Sequence, residues 1–364
     1  MSSLKSGMKQ WTYAHNLQVL LANWGKNHRH HGGIRAAMRC VKGTSRLSTG
    51  LSAFKNGHST GRGGVDVITF SVVPRLSETW AVFMERALPD SDLRILIGDC
   101  SGGLVREQRT RKTSVMPLLN FAHGEKLDLF FEKLCGAEYV VVCDDDVFWL
   151  DDRALKWALE RFAEDPKLAV VSLRPRAAGW PPVAKRTNGV PMGSYCLVIR
   201  RELWIREKLS FQIVDDVEFA KEGFYFDTAD FANVQLLESG YSVLIAPEEI
   251  RSSLISFDGT SCWALRIQQH RGEIKSQVAE KPALQVKVYL SILVLREMAA
   301  LAKDLTGNGG ETDLVPRESL DTAQRILEGL MEKPAKHQAQ EEVGGWFRAL
   351  NQARKRWPNC GEDQ

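Results

Sequence analysis

The first 64 residues contain no aspartate and no glutamate. They hold ten Lys/Arg (Lys5, Lys9, Lys26, Arg29, Arg35, Arg39, Lys42, Arg46, Lys55 and Arg62) and five of the eight histidines. The whole chain has 48 basic against 45 acidic residues, a net charge of +3, so near-neutrality conceals +10 on the arm and −7 on the other 300 residues. Such asymmetry points to a polyanion, a membrane surface or a targeting segment. A second lack is any C-x-x-C pair among the seven cysteines (Cys40, Cys100, Cys135, Cys143, Cys196, Cys262 and Cys360). That argues against a zinc module, and the odd count argues against a disulfide framework; reduced, buried thiols in an intracellular protein are expected. Long apolar runs are missing too. The best, Val288–Leu295, meets Arg296 and Glu297 at once, far short of the roughly 18–20 residues of a membrane span. The N-terminus lacks the basic-then-apolar order of a secretory signal, but its acid-free, Arg- and Ser-containing character leaves organellar targeting open. The expected location is cytoplasmic, with peripheral membrane or polyanion contact through residues 1–64 as an open role.

What is present supports a large core: 44% of the 364 residues are hydrophobic and ten are tryptophan, which excludes a wholly disordered chain. The expected organisation is a basic extension (1–64), an α/β domain (65–275) and a helical C-terminal region (276–364). In the arm an amphipathic patch around Leu17–Trp24 and the cluster His28-Arg29-His30-His31 precede a Gly/Ser-rich run to Gly63-Gly64. From Val65 onward, apolar runs alternate with helical periods. Strands are expected at Val65–Val73, Leu93–Ile97, Tyr139–Cys143, Leu168–Leu173 and Ser242–Ala246, and helices at Ser77–Leu88, Lys126–Leu134 and Asp152–Phe162. This alternation predicts a mostly parallel sheet flanked by helices. Beyond residue 280 helices are expected at Val286–Leu305, Ser319–Met331 and Glu341–Lys355. The Gly-rich stretch after the first lacks the ending of a phosphate loop and reads as a linker.

The chemistry concentrates where Tyr139–Cys143, apolar throughout, runs into Asp144-Asp145-Asp146. Open α/β sheets bind ligands at the carboxyl ends of their strands. In an extended segment Asp144 and Asp146 project to one side, about 7 Å apart at Cα. Adjacent buried carboxylates repel, and a divalent cation held by Asp144 and Asp146 would compensate them, oxygen donors suiting Mg²⁺ or Mn²⁺. The plainer alternative is an acidic loop capping the next helix through Asp151 or Asp152. Asp99, with Ser101-Gly102-Gly103, closes the second strand, where it is placed to hold a base or ribose or simply to form a turn. Asp227 and Asp230 sit at i and i+3 at a helix start between Phe226 and Phe231, either as a general base and its neighbour or as caps.

An apolar strand ending in Asp-x-Asp resembles the GT-A glycosyltransferases, and the order of elements looks like their large family 2 group. The matching features are Val65–Val73, Asp99, Asp144/Asp146, Met192-Gly193-Ser194-Tyr195 with Arg200-Arg201-Glu202, and Asp227/Asp230 before Gly240-Tyr241. Phe226-Asp227-Thr228-Ala229-Asp230-Phe231 is similar to the form found in rhamnosyl- and galactofuranosyltransferase-like branches. The resemblance covers residues 65–260 and implies a GT-A fold. It also implies a hexosyl- or pentosyltransferase using a nucleotide-sugar donor, a UDP-sugar first, with inversion. Asp99, Ser101, Asp144 and Asp145 would bind the donor, Asp144 and Asp146 the metal, and Asp227 or Asp230 would be the base. The chain departs from the family in having Val73-Pro74-Arg75-Leu76 after the first strand and Arg251-Ser252-Ser253 where many members place a metal-binding histidine. The acceptor is open among a glycan, a lipid-linked sugar, a protein, a small molecule and nucleic acid, with Trp180-Pro181-Pro182 and Met192–Tyr195 as candidate walls. Competing readings are a non-catalytic scaffold on a degenerate GT-A fold, and a nucleotidyltransferase, which Gly61-Arg62-Gly63-Gly64 disfavours by preceding the first strand.

Overall fold

Val140, Val141 and Val142 leave no polar alternation, so their strand has to be covered on both faces, and in the computed structural model each is at most 1% exposed. The structure describes Leu21 and residues 33–48, 64–89, 92–104, 112–176, 192–214, 226–257, 282–306 and 334–357. The strands are β1 (Val65–Ser71), β2 (Leu93–Asp99), β3 (Thr113–Pro117), β4 (Tyr139–Cys143), β5 (Val147–Trp149), β6 (Leu168–Ser172), β7 (Cys196–Arg200), β8 (Ser242–Ile245) and β9 (Leu254–Ser256). The helices are α1 (Ile34–Ser48), α2 (Pro74–Ala87), α3 (His123–Lys133), α4 (Arg153–Glu164), α5 (Arg201–Arg206), α6 (Asp230–Glu238), α7 (Glu248–Arg251), α8 (Pro282–Thr306) and α9 (Pro334–Arg356).

Seven strands form one sheet in the order β3-β2-β1-β4-β7-β6-β8. β1 pairs in parallel with β2 and β4, β2 with β3, and β6 with β8; β7 alone runs against its neighbours β4 and β6. The chain is thus an α/β protein with a mostly parallel sheet, as its periodicity predicts. β5 and β9 make a separate antiparallel pair.

Two cores cover the faces of the sheet. On one, Trp80, Phe83 and Met84 of α2 meet Phe148, Trp149, Leu155 and Phe162. The same cluster takes in Leu295, Met298 and Leu305 of α8, and Val343 and Leu350 of α9 with Trp357 just beyond it. The ring of Trp357 stands edge-on to Phe83 at 5.2 Å and that of Trp346 to Phe257 at 4.9 Å, so the two long C-terminal helices close the sheet on this side. On the other face, Phe130 and Phe131 of α3 pack with Trp204, Phe211 and Leu236. At the amino end of the strands, Asp66 is fully buried and accepts bonds from Arg94 Nε (2.8 Å) and Nη2 (3.0 Å) and from the amides of Gly136 (2.7 Å) and Ala137 (3.0 Å). Four donors compensate its charge, which is what makes a carboxylate tolerable there.

The largest departure from expectation is a helix in the basic arm. The Gly/Ser-rich reading gave no helix after the histidine cluster, yet α1 is fifteen residues long. It buries Ala36, Ala37, Cys40, Val41, Thr44 and Leu47 against the β2 and β3 ends. Its small residues allow close approach: a Cβ on Gly43 would lie 1.9 Å from Pro117 O. Strands β3, β5, β7 and β9 are likewise additional to those expected. Leu17–Trp24 apart from Leu21, the histidine cluster, Gly61-Arg62-Gly63, Trp180-Pro181-Pro182, Ser319–Met331, Cys262 and Cys360 lie outside the described residues. The other five cysteines are free and buried, as expected.

Candidate active site

Parallel strands place the carboxyl ends of β1, β2, β3, β4 and β6 at one pole, and the reversed β7 brings Met192–Tyr195 to it as well. The amide of Asp144 donates to Tyr195 O at 2.8 Å, fixing the β4 exit beside the β7 entry. Of the three consecutive aspartates, Asp145 and Asp146 are only 4% and 6% exposed, whereas the Asp144 side chain keeps 27% of its surface. Burial, then the neighbouring Asp145 and the Cys143 thiol, push the Asp144 carboxyl well above its ordinary value, and the Lys126 charge opposes them.

Two residues of α3 that sequence reading passed over flank Asp144. His123 Nε2 stands 3.8 Å from Asp144 Oδ1. Desolvation and the adjacent Lys126 charge lower its pKa, so it is a neutral imidazole at pH 7. Lys126 is 5% exposed; its ammonium donates to Asn120 Oδ1 at 2.9 Å and Cys100 Sγ at 3.6 Å and lies 5.4 Å from the centre of the Phe70 ring. A lysine is rarely buried this far unless its charge is paired, and the Lys126 charge acts on Asp144. The signal was present: His123 and Lys126 fall at i−4 from Leu127 and Phe130, on the apolar stripe of the helix.

Asp227 and Asp230 come to the same pole from the start of α6, joined by a third residue that sequence reading missed, Arg176. Its guanidinium pairs with Asp227 Oδ2, its Nε is 3.4 Å from Asp230 Oδ1, and it lies 5.6 Å from the Tyr195 ring centre. The Asp227 amide donates to Asp230 Oδ2 at 2.8 Å, and Asp227 Oδ1 accepts the Thr228 amide at 2.7 Å. Ala229 holds the turn at φ +67°, a left-handed conformation uncommon for a residue with a Cβ. The two acids are not equivalent: Asp230 is 1% exposed, whereas the Asp227 side chain keeps 34% of its surface. Although partial burial raises the Asp227 pKa, the Arg176 guanidinium and the Thr228 amide bring it below the ordinary carboxylate value. Asp227 is near enough to influence both His123 and Asp144 electrostatically, so the two acid sites share one pole.

Asp99 and Ser101 are placed differently. Asp99 is 1% exposed, and its carboxylate accepts from Ser101 N (2.9 Å), Ser101 Oγ (2.5 Å) and Leu104 N (3.0 Å). Both side chains are engaged in shaping their own loop, the turn alternative open to an Asp before Ser-Gly-Gly. That loop is clamped from outside by Arg39, whose Nε donates to Gly102 O at 2.9 Å. As for metal, among the described residues no three His, Cys, Asp or Glu side chains converge on an ion position. Asp144 and His123 are the donors that meet at the exposed part of the pole. The described residues thus do not make a complete ion site.

No family model matches the chain, and no curated relative matches it. It is similar in structure to several glycosyltransferases. Galactosyltransferase LgtC, solved with donor and acceptor sugar analogues, matches at 17% identity and a TM-score of 0.31, over 50% of this chain and 73% of that one. Glucosyl-3-phosphoglycerate synthase from Mycobacterium tuberculosis, solved with Mn²⁺, UDP and glucosyl-3-phosphoglycerate, matches at 11% and 0.36, over 66% and 81%. Glycosyltransferase GlyE from Streptococcus pneumoniae TIGR4 matches at 17% and 0.30, over 50% and 45%. Superpositions this partial leave the functional argument to the site itself.

Proposed function

We propose that the chain is a glycosyltransferase that moves a sugar from a nucleotide-diphosphate donor to an acceptor hydroxyl, with inversion at the anomeric carbon. The observation that carries this reading is the meeting of two acid sites at the carboxyl pole, Asp144 beside His123 and the Lys126 charge, and Asp227 paired with Arg176. Group transfer from a diphosphate leaving group needs cationic or hydrogen-bonding support where negative charge develops, and a base near the attacking hydroxyl. In this reading the Lys126 ammonium, fixed in a site of low dielectric, offers the first. Asp227 offers the second: it is ionised at neutral pH and is the more exposed of the two acids. Asp230 positions Asp227 through its backbone amide rather than acting as the base. The loop that Asp99 and Ser101 shape would line the nucleoside pocket with its backbone. Mn²⁺ or Mg²⁺, if bound with the donor, would find Asp144 as its exposed carboxylate, with Asp146 behind it; no step of the reading depends on the ion.

The test is a binding panel of UDP-, GDP- and dTDP-sugars, each with Mn²⁺, with Mg²⁺ and with EDTA, followed by donor turnover. A nucleotide sugar that binds and is weakened at least tenfold by Lys126→Met supports the reading. Absence of binding across the panel would sink it.

A further inference from the structure

The inner half of α1 is used by the fold, and its outer half is of unusual composition. At 100° per residue, Ile34 and Met38 form one edge of the outer face and are 69% and 39% exposed. Lys42, Arg35, Arg46 and Arg39 follow around it, all exposed, Arg39 also reaching Gly102 O, and the helix carries no acidic residue of its own. A helix with exposed apolar residues along one edge and a row of Lys/Arg beside it has the character of one that lies in the interface of an anionic bilayer. Nucleic acid would use the cations and leave Ile34 and Met38 in water, whereas a bilayer takes up both.

We propose that the outer face of α1 docks on an anionic lipid surface. α1 is also tied to the candidate site. Arg39 holds Gly102 O, and the helix backbone lies so close that a Cβ on Gly102 would sit 2.4 Å from Ala36 O. Docking through α1 therefore sets the loop at the carboxyl end of β2 one helix diameter, roughly 10 Å, from the bilayer. On the transferase reading above, it makes the acceptor a molecule presented at the membrane surface, such as a lipid-linked sugar.

The experiment uses the full chain and co-sedimentation with vesicles of phosphatidylcholine alone or mixed with phosphatidylglycerol. Binding is expected only to the mixed vesicles and should weaken with salt. Each cation near an anionic surface strengthens binding about fivefold, so the Arg35→Gln/Lys42→Gln double variant should lose about 25-fold. Ile34→Ser/Met38→Ser should lose affinity at every salt concentration while keeping the salt slope. Because the basic residues before α1 remain in every variant, the losses report on this face alone. Undiminished vesicle binding by both variants would overturn the proposal. So would binding to heparin or RNA with none to vesicles. Nucleotide-sugar binding by the same variants should be unchanged. If no nucleotide sugar binds the wild type but vesicles do, the transferase reading falls and the docking surface stands.

Discussion

Replacing Gly43 by alanine sets two effects of opposite sign against each other. In an exposed helix interior, Gly→Ala stabilises by about 1 kcal/mol through helix propensity. In α1 the new Cβ would stand 1.9 Å from Pro117 O, a backbone atom that no rotamer change can move. Restoring an ordinary contact requires the helix to retreat by about 1.5 Å. A gap of even 0.5–1 Å forfeits about a quarter to a half of the dispersion energy across an interface, and this one is lined by Ala37, Cys40, Val41 and Leu119. The same retreat stretches the bond from the Leu119 amide to Thr44 Oγ1, now 2.9 Å, and the Arg39–Gly102 clamp. Overpacking costs about 1–3 kcal/mol and each lost hydrogen bond about 1 kcal/mol, more where a charge takes part. The net expectation is a loss of about 2–4 kcal/mol despite the gain in propensity. Urea unfolding followed by tryptophan fluorescence measures it, with amide exchange across residues 36–47 reporting whether α1 loosens first. Gly136→Ala is the control: nothing lies within 4 Å of its added Cβ, so a change within about 0.5 kcal/mol is expected. A Gly43→Ala variant as stable as wild type, or more so, would refute the docking of α1 on the sheet.

Asp66→Ala removes a carboxylate with four donors and leaves the Arg94 charge with only the Leu134 carbonyl, which should cost about 3–5 kcal/mol in the same denaturation assay; a loss under 1 kcal/mol would contradict its burial. Asp227→Asn should lower turnover by about 10²–10⁴-fold with donor affinity kept, while Asp230→Asn should mainly lower the melting temperature, and the reverse pattern would exchange their roles. Arg176→Gln should raise the Asp227 pKa toward the ordinary 3.8, as a carboxyl-detected NMR titration would show. Because the folded pKa is depressed, the stability the pair contributes is present above about pH 4 and lost as pH falls through the lower folded value. Wild type and Arg176→Gln should therefore converge in stability below that window, and curves that stay parallel would show that the pairing does not act through Asp227 ionisation. Imidazole NMR should find His123 neutral at pH 6, where an unperturbed histidine is largely protonated.

The strands were legible because burial on both faces demands unbroken apolar runs: Tyr139–Cys143 is found with the bounds its composition predicts, and Leu93–Asp99 extends its expected strand by two residues. The amphipathic helices α2 and α4 were legible for the same reason, since their stripes of Trp80, Phe83 and Met84, and of Ala154, Leu155, Ala158 and Phe162, follow the helical period. α1 was not. Its buried face is built of Ala, Cys, Val and Thr with a glycine inside, and such a stripe becomes recognisable as a core face only when Pro117 and the β2 loop are set against it. β7, Cys-Leu-Val-Ile-Arg, is an apolar run of the same length as β4 and was passed over even though that signal was present.

By itself, then, the sequence determined the class of fold, the strand that carries the acidic triplet and the pole at which chemistry is to be sought, because backbone hydrogen bonding and apolar periodicity are local constraints. Tertiary structure decided which of those carboxylates keep solvent access. It left Asp144 and Asp227 partly exposed and gave Asp99, Asp145, Asp146 and Asp230 to the interior. It also brought Lys126 and His123 of α3, and Arg176 from a second segment, beside them. The reason is electrostatic. A carboxylate's chemistry depends on its solvation and on charges within a few ångströms, and only folding sets which charges those are. The same holds for the basic arm, which in sequence is only an acid-free run of charge: burial of one side of α1 is what gathers the cations of that helix, with Ile34 and Met38, onto a single face.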